Sequence, residues 1–242
     1  MEYKYTGIVL NKKDIGEADR LYNIYTLEQG KITVVARSVR KSKSKLAGKL
    51  ENFYLIDFTV MKNRGMGNVA SSIVENDFPH LHSNFDILKK VFESIRIFSR
   101  PLKDEERDLE IFKLLLEYLE TMDKLAKNKN TVKAIKRSNL IEQGFIFKFL
   151  DLLGYKIEAS KCIESGGNLS EKNNFFNYSQ GGMVCSKYAQ GMENTMAVSN
   201  NSIKIMRIFF QNNLSSLLKL DVSDRDVNEI RRMSKNFIAW IC

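Results

Sequence analysis

The sequence is poor in the residues from which disulfide frameworks, metal centres and hydrolytic sites are built. Only three cysteines and two histidines occur among 242 residues. Cys162, Cys185 and Cys242 are too few and too scattered for a disulfide framework, which predicts a reducing, cytoplasmic location. The histidines share the tetrapeptide Pro79-His80-Leu81-His82, with no cysteine or helically spaced carboxylate nearby, so we interpret them as part of a linker. No Ser, His and Asp follow a recognisable triad order, and we do not expect an enzyme.

Long apolar runs and phosphate-binding motifs are also missing. No uncharged apolar stretch approaches the roughly 18 residues of a membrane span, and the opening MEYKYTGIVL carries charge where a leader would be apolar. No Gly-x-x-x-x-Gly-Lys motif occurs. Gly65-Met66-Gly67 lacks the complete G-x-G-x-x-G spacing and a following helix. The sequence therefore predicts neither a membrane protein nor an ATP-binding protein, and no repeat or low-complexity tract appears.

Acidic residues are in deficit. Lys and Arg number 38 against 29 Asp and Glu, which gives a formal net charge of +9. A basic surface favours polyanionic partners over acidic small substrates, although it says little about the fold.

The first 79 residues have the period-two pattern of β-strands. Apolar and polar residues alternate over about residues 5–11, 20–26, 31–38, 53–60 and 68–75, and Gly30 is expected at positive φ in the second turn. In the first strand Ile8 and Leu10 alternate with Gly7 and Val9. Five short antiparallel strands predict a small closed barrel of the OB type over 1–79.

One turn of this barrel carries a cluster of positive charge. No carboxylate lies between Ala36 and Leu50. The six basic residues of the turn are Arg37, Arg40, Lys41, Lys43, Lys45 and Lys49, with Lys31, Lys62 and Arg64 nearby in sequence. Such a turn either contacts nucleic-acid phosphates or is merely solvated and flexible.

Two interpretations are open for the aromatic residues that are predicted to face outward from the barrel. Tyr25 and Phe53 either stack on bases or pack against the rest of the chain, and the pattern favours packing.

After Pro79 the periodicity changes to that of helices. Apolar stripes predict helices over about 85–98, after the acidic residues 104–106, over 132–153, after residue 200 and after Ser223. The third helix has Leu152 in its predicted core face, and Gly144 indicates close packing. We predict a mostly helical domain over 80–242, with a polar, glycine-rich and irregular insert over 155–192.

The ordered motifs of the barrel region resemble the RecO family of bacterial recombination mediators. They are Gly7–Leu10, Gly16–Asp19, Tyr25–Lys31, Ala36–Arg37, Lys43–Gly48 and Leu50–Phe53. In the second half, Phe149–Tyr155 is similar to the helix end that precedes the family's zinc-binding insert.

The family pattern then has two Cys-x-x-Cys pairs. This chain keeps Cys162 and Cys185 but has Ser165 and Tyr188 in place of the second cysteine of each pair. Two thiolates cannot complete the four ligands of structural zinc, so we expect a metal-free, degenerate zinc-ribbon-like insert packed by aromatic residues. No cofactor is predicted.

The resemblance implies a role in the RecF pathway of DNA repair and recombination. The implied activities are binding of single- and double-stranded DNA, strand annealing, and loading of RecA together with RecR onto strands covered by single-stranded-DNA-binding protein. A groove in the helical half would take the acidic C-terminal tail of that protein. The implied location is the cytoplasm, in association with the nucleoid. The residues alone leave open an RNA-binding barrel or a protein-interaction scaffold.

Overall fold

A closed five-stranded barrel forms the N-terminal part of the computed structural model, which describes residues 1–62, 65–128 and 131–241. Its strands are β1 (Glu2–Ile15), β2 (Asp19–Thr26), β3 (Gly30–Ala36), β4 (Leu55–Met61) and β5 (Gly67–Asn76). Neighbours follow the order β1-β2-β3-β5-β4, and β4 pairs with β1 to close the barrel. All pairs are antiparallel except the short β3–β5 pair. The predicted OB-like barrel is confirmed, including Gly30 at φ +70°.

Both faces of the first strand are buried at Ile8, Val9 and Leu10. Val9 points into the barrel, whereas Ile8 and Leu10 belong to the core formed with the helices. A register shift between Val9 and Asn11 accommodates this arrangement. The predicted alternation of Ile8 and Leu10 with Gly7 and Val9 is confirmed, and neither face of this segment is left to water.

Helices follow the barrel. They are α1 (Pro79–Ser83), α2 (Phe85–Ser99), α3 (Leu109–Ala126), α4 (Thr131–Leu150), α5 (Ser186–Ala189), α6 (Asn200–Gln211) and α7 (Asp224–Ile241). Within the described residues, side-chain oxygens cap four of them: those of Asn84, Asp108, Ser199 and Ser223 accept backbone N–H groups in the first turns of α2, α3, α6 and α7.

Helix α4 lies at the centre of this helical part. A Cβ at Gly144 would lie 2.8 Å from Leu217 and 3.3 Å from Leu214, so the predicted close packing is confirmed. The helix ends in a wide turn, Asp151–Tyr155, in which Gly154 has φ +91°. Leu152, predicted in the core, lies in this turn and is 38% exposed, so that prediction was wrong.

The insert is more regular than the sequence suggested. Strands β6 (Asn174–Asn177), β7 (Gly182–Cys185) and β8 (Thr195–Val198) form an antiparallel sheet of order β7-β6-β8. Phe176 is fully buried and its ring lies edge-on to Phe237 of α7, with centroids 6.0 Å apart. Aromatic packing therefore attaches this sheet to the last helix.

The barrel and the helices share one hydrophobic core. Tyr25 and Phe53 from the barrel region are packed together with residues of α2 and α3. Helix α1 begins at Pro79, the predicted boundary, but the division into units 1–79 and 80–242 stays a prediction. Over the described ranges, no helix combines the length and apolarity that a bilayer crossing requires.

Candidate nucleic-acid interface

The long connection between β3 and β4 is an ordered, anchored loop. We call residues 37–49 the basic loop. Val39, Leu46 and Leu50 join the core of the barrel and fix the loop at both ends. Successive turns bond Lys41 N–H to Ser38 O at 3.2 Å and Ser44 N–H to Lys41 O at 2.9 Å. Apolar anchors and backbone turns therefore hold the loop in place without using the charges of its lysines.

The charged ends of the basic loop point to solvent. All six predicted residues, Arg37, Arg40, Lys41, Lys43, Lys45 and Lys49, are exposed. Within the described ranges, five of them form no ion pair, the exception being Arg40. Free cations held on a rigid support are what phosphate binding requires, because no internal carboxylate has to be displaced first.

Arg40 has a different role. Its Nε lies 3.4 Å from Asp14 Oδ2, and one of its terminal nitrogens donates to the Gly16 carbonyl. Asp14 also accepts from Arg20 at 2.6 Å, and this hydrogen bond is the main reason that the pKa of Asp14 is lowered. Arg40 therefore ties the loop to the β1–β2 turn.

Lys31 and Lys62 are turned toward the helical part. We call residues 102–108, LKDEERD, the acidic segment. Lys31 Nζ lies 3.2 Å from Asp104 and also donates to the Leu102 carbonyl, and Lys62 Nζ lies 3.4 Å from Glu105. These two cations stabilise the contact between barrel and helices. Arg64, expected beside them, lies outside the described residues.

Gly30 lets the acidic segment pass close to the barrel. A Cβ at this position would lie 2.0 Å from the Glu106 carbonyl oxygen. The Glu105 N–H donates to Lys31 O at 2.9 Å, so the segment pairs with the edge of β3. The acidic segment therefore covers β3 at Gly30 and Lys31, whereas the charges of the basic loop face solvent.

Tyr25 and Phe53 do not face solvent. Both are completely buried, and Tyr25 lies edge-on to Phe98 with centroids 5.6 Å apart. Phe53 lies edge-on to Phe92 of α2 at 4.6 Å. The favoured interpretation, packing against the helical part, is confirmed.

A polar row crosses the outer face of the barrel. Thr33 Oγ1 donates to Asn23 Oδ1 at 2.8 Å, and Asn23 Nδ2 donates to Asn11 Oδ1 at 3.0 Å, across strands β3, β2 and β1. The β2–β3 face is where OB folds bind oligonucleotides. Sequence reasoning missed this row, although outward Asn and Thr on adjacent predicted strands were a usable signal.

A second missed feature lies on α2. Phe85 and Phe92 are 78% and 44% exposed, and Lys89 and Arg96 lie on the same side of the helix. The apolar periodicity of this helix predicted only its buried face. The i, i+4, i+7 and i+11 spacing of the exposed set was a signal for an outer face.

Cys162 and Cys185, the two cysteines that this chain keeps from the family pattern, come together in the insert. Cys185 N–H donates to Cys162 Sγ at 3.4 Å. Burial raises the pKa of the Cys162 thiol, but hydrogen bonds from the Ser165 side chain and from backbone N–H groups outweigh it and lower the pKa to about 7.

These thiols do not make up a zinc site. No cluster of three His, Cys, Asp or Glu side chains suited to a metal occurs in the described part of the chain. The Ser165 hydroxyl hydrogen-bonds to the Cys162 sulfur, and Tyr188 is 40% exposed. The donor set present does not fit four-coordinate zinc. Cys242 lies outside the described residues, and the absence of a metal stays a prediction.

His80 and His82 lie in the short helix α1. The His82 ring lies edge-on to Tyr54 with centroids 5.2 Å apart. Burial lowers the pKa of His82, although Asp77, Glu51 and a hydrogen bond to Asn52 oppose that shift. The packed His82 imidazole connects the end of the β3–β4 connection to the helices.

Two family models match the chain in succession. Residues 1–76 match the model described as Recombination protein O N terminal, and residues 96–241 match the one described as Recombination protein O C terminal. The first covers the barrel and the basic loop, and the second covers α3 to α7.

Bacterial proteins named DNA repair protein RecO are similar over nearly the whole chain. One from Dehalococcoides mccartyi (strain ATCC BAA-2266) is 27% identical over 240 residues, covering 99% of this chain and 90% of the relative. One from Thermodesulfovibrio yellowstonii is 25% identical, covering 100% and 94%. One from Desulforamulus reducens is 22% identical, covering 98% and 89%.

Proposed function

Because the chain belongs to the RecO family of DNA repair proteins, we propose that it is a recombination mediator that binds single- and double-stranded DNA through the basic loop. The observation that carries this proposal is the set of five exposed cations without ion pairs in the described structure, on a loop fixed by apolar anchors. These five are Arg37, Lys41, Lys43, Lys45 and Lys49.

The proposed binding depends on backbone charge rather than on base sequence. Each phosphate neutralised on a single strand releases condensed counterions, with a slope of about −0.7 in log affinity against log salt. Five contacts predict a slope of about −3.5 and a loss of about 100-fold between 50 and 200 mM salt. Lysine ammonium groups follow charge without reading bases, which suits a protein that must accept any exposed strand.

Annealing follows from the same charges. Two complementary strands repel each other through their phosphates, and a shared cationic surface reduces that repulsion. No covalent bond forms or breaks, so we propose a non-enzymatic role without a cofactor. Stoichiometric zinc in elemental analysis of the purified protein would contradict the cofactor part of this proposal.

Partner proteins are proposed for the helical half. By family membership they are RecR and single-stranded-DNA-binding protein, with RecA loaded as the outcome, in the bacterial cytoplasm at the nucleoid. A cleft of about 350 Å³ between α2, α4 and α7 supports a site for an acidic peptide tail. Four cations line it against two carboxylates, with three isoleucines as apolar walls: Lys90, Arg96, Arg231 and Lys235, Glu93 and Glu142, and Ile97, Ile146 and Ile238.

The floor of this cleft holds one buried carboxylate, Glu142. Burial raises the pKa of Glu142, while Lys90 and Arg231 act in the opposite direction, and Arg231 lies 3.5 Å away. The basic rim and apolar walls match a tail with both acidic and apolar side chains. Changing Lys90 and Lys235 to Glu is expected to weaken binding of the single-stranded-DNA-binding protein's tail peptide at least tenfold, measured by fluorescence anisotropy.

The test of DNA binding uses a loop variant, in which Arg37, Lys41, Lys43, Lys45 and Lys49 are all changed to Ala. A matched control removes the same charge elsewhere by changing the exposed Lys124, Lys127, Lys172, Lys187 and Lys219 to Ala. The loop variant is expected to bind a single-stranded oligonucleotide about 100-fold more weakly at 50 mM salt. Circular dichroism and melting temperature should change little.

The control variant separates loop binding from net charge. Equal loss of affinity in both variants, or none in the loop variant, would overturn the proposal. A single-stranded RNA of equal length is used as the competitor, because OB-type barrels also bind RNA. Preference for RNA by more than tenfold would instead support an RNA-binding module.

A further inference from the structure

The outer side of α2 carries alternating aromatic and basic residues. Phe85, Lys89, Phe92 and Arg96 are all exposed and lie within about 60° of one another around the helix axis, at 100° per residue. We call these four residues the α2 stripe. Its two rings are separated by seven residues, or about 10.5 Å along the helix.

Leaving the rings of Phe85 and Phe92 in contact with water is unfavourable for the folded chain. The opposite side of α2 already buries Ile87, Val91, Ile95 and Phe98, so the helix does not need Phe85 or Phe92 for its core. Phe85 is 78% exposed at the first position of the helix. Large apolar surface left in water, next to cations, marks a binding surface.

The charges of the stripe are available to a ligand. Within the described residues, neither Lys89 nor Arg96 forms an ion pair. The carboxylates of Asp86 and Glu93 lie on the flank of the stripe beyond Lys89, about 40° to 60° from Lys89 and 100° to 120° from Phe92. The side nearest the rings is therefore cationic, which complements phosphates and not a basic partner.

The α2 stripe continues from the basic loop. Phe53 follows Lys49 by four residues, and its buried ring lies edge-on to the Phe92 ring at 4.6 Å. This contact fixes the position of Phe92 beside the end of the loop. The stripe is therefore joined to the chain just after the basic loop through the contact between Phe92 and Phe53.

We propose that the α2 stripe is a base-stacking platform that extends the basic loop into a longer site for single-stranded nucleic acid. This inference rests on the proposed function of the loop. Aromatic rings stack on bases of any sequence because every base has a π-face, and Lys89 and Arg96 neutralise the phosphates between them. Bases in a duplex are already stacked on each other, so the platform discriminates for single strands.

The test compares the affinity for a single-stranded oligonucleotide with the affinity for a duplex of the same length. Changing Phe85 and Phe92 to Ala is expected to weaken single-strand binding at least tenfold, with duplex affinity within twofold and the salt slope unchanged. Lys89→Ala should lower the magnitude of the salt slope by about 0.7. Tyr188→Ala is the matched control, because it removes an exposed ring of the insert, and its effect should be below twofold.

Phe92 contacts Phe53, so the double variant requires a check on folding. Phe85→Ala alone removes a ring that is 78% exposed and leaves the core intact, and it is expected to weaken single-strand binding about fivefold or more. Unchanged single-strand affinity in the Phe85→Ala variant would overturn the platform.

The outcomes separate this inference from the proposed function. If the loop variant loses DNA affinity while the stripe variants keep it, the platform is wrong and the loop proposal stands. If the loop variant keeps affinity, both are wrong. If the stripe variants keep DNA affinity but lose binding to purified single-stranded-DNA-binding protein, the stripe is a protein-docking surface and the platform is overturned.

Discussion

Two cationic regions of the same barrel differ in what surrounds them. In the basic loop, five cations have no ion-pair partner within the described structure, whereas Lys31 of β3 and Lys62, which follows β4, are paired with Asp104 and Glu105. The first region presents charge to solvent, and the second uses charge to hold the acidic segment. A positive residue therefore indicates a phosphate contact only where the rest of the chain leaves it free.

The largest expected effect lies in the paired region. Gly30→Ala would place a Cβ 2.0 Å from the Glu106 carbonyl at a residue with φ +70°, so the acidic segment would have to move. We expect the free energy of unfolding to fall by about 4 kcal/mol, measured by urea denaturation.

Gly16→Ala is the control for backbone strain. Gly16 also has positive φ, but no atom lies within 4 Å of its Cβ position. We expect a loss of about 1 kcal/mol. Equal losses of unfolding free energy in the two variants would show that the close approach of the acidic segment does not add to the cost of Gly30→Ala.

The next largest loss of stability is expected at Leu50, one of the apolar anchors of the basic loop. Leu50 is 1% exposed in the barrel core, and Leu50→Ala is expected to lower the free energy of unfolding by about 3 kcal/mol. DNA affinity should also fall, because the loop loses its fixed position. Ile73→Ala, at a residue that is 64% exposed, serves as the control and should cost less than about 0.5 kcal/mol. An unchanged DNA affinity in a destabilised Leu50→Ala protein would show that loop order is irrelevant to binding.

A smaller effect is expected from Lys31. Lys31→Ala removes a partly buried ion pair and a hydrogen bond to a backbone carbonyl, which should lower the free energy of unfolding by about 1 kcal/mol. DNA affinity should remain within twofold. Lys62→Ala, at a more exposed pair, should leave both quantities nearly unchanged. A tenfold loss of DNA affinity in Lys31→Ala would place this edge within the interface.

The smallest effect is a pH dependence at the junction of barrel and helices. The pKa of His82 is lowered in the folded chain, so below its unfolded pKa, near 6.5, the unfolded state binds more protons. The free energy of unfolding should therefore fall as the pH is lowered from 7 to 5, and His82→Gln should remove up to about 1 kcal/mol of that change. His80→Gln is the control, and an equal response in both variants would rule out His82 as the source.

The sequence predicted the barrel well where one face is buried and the other is wet. Strand β3 shows this clearly, with Ile32, Val34 and Ala36 inside. In β1 the alternation of Ile8 and Leu10 with Val9 is also present, but the helices cover the outer face, so burial on both faces removes the contrast between apolar and polar residues. The sheet of the insert was missed because its strands are only four residues long and β6 begins and ends with asparagine.

The candidate site was predictable in its charges and not in their partners. The loop is a continuous run of sequence, so its lack of carboxylates could be read directly. The pairing of Lys31 with Asp104 joins residues 73 positions apart, and only the folded chain brings them together. The α2 stripe was hidden for a similar reason, since its meaning depends on the contact between Phe92 and Phe53.

The salt dependence of single-strand binding tests the central claim most directly, namely that free cations bind DNA and paired ones do not. Slopes of log affinity against log salt are measured for the wild type, for the loop variant, and for a Lys31→Ala, Lys62→Ala double variant. The account predicts a slope smaller in magnitude by about 3.5 for the loop variant and an unchanged slope for the double variant. A wild-type slope in the loop variant, or an equal reduction per charge in both, would contradict it.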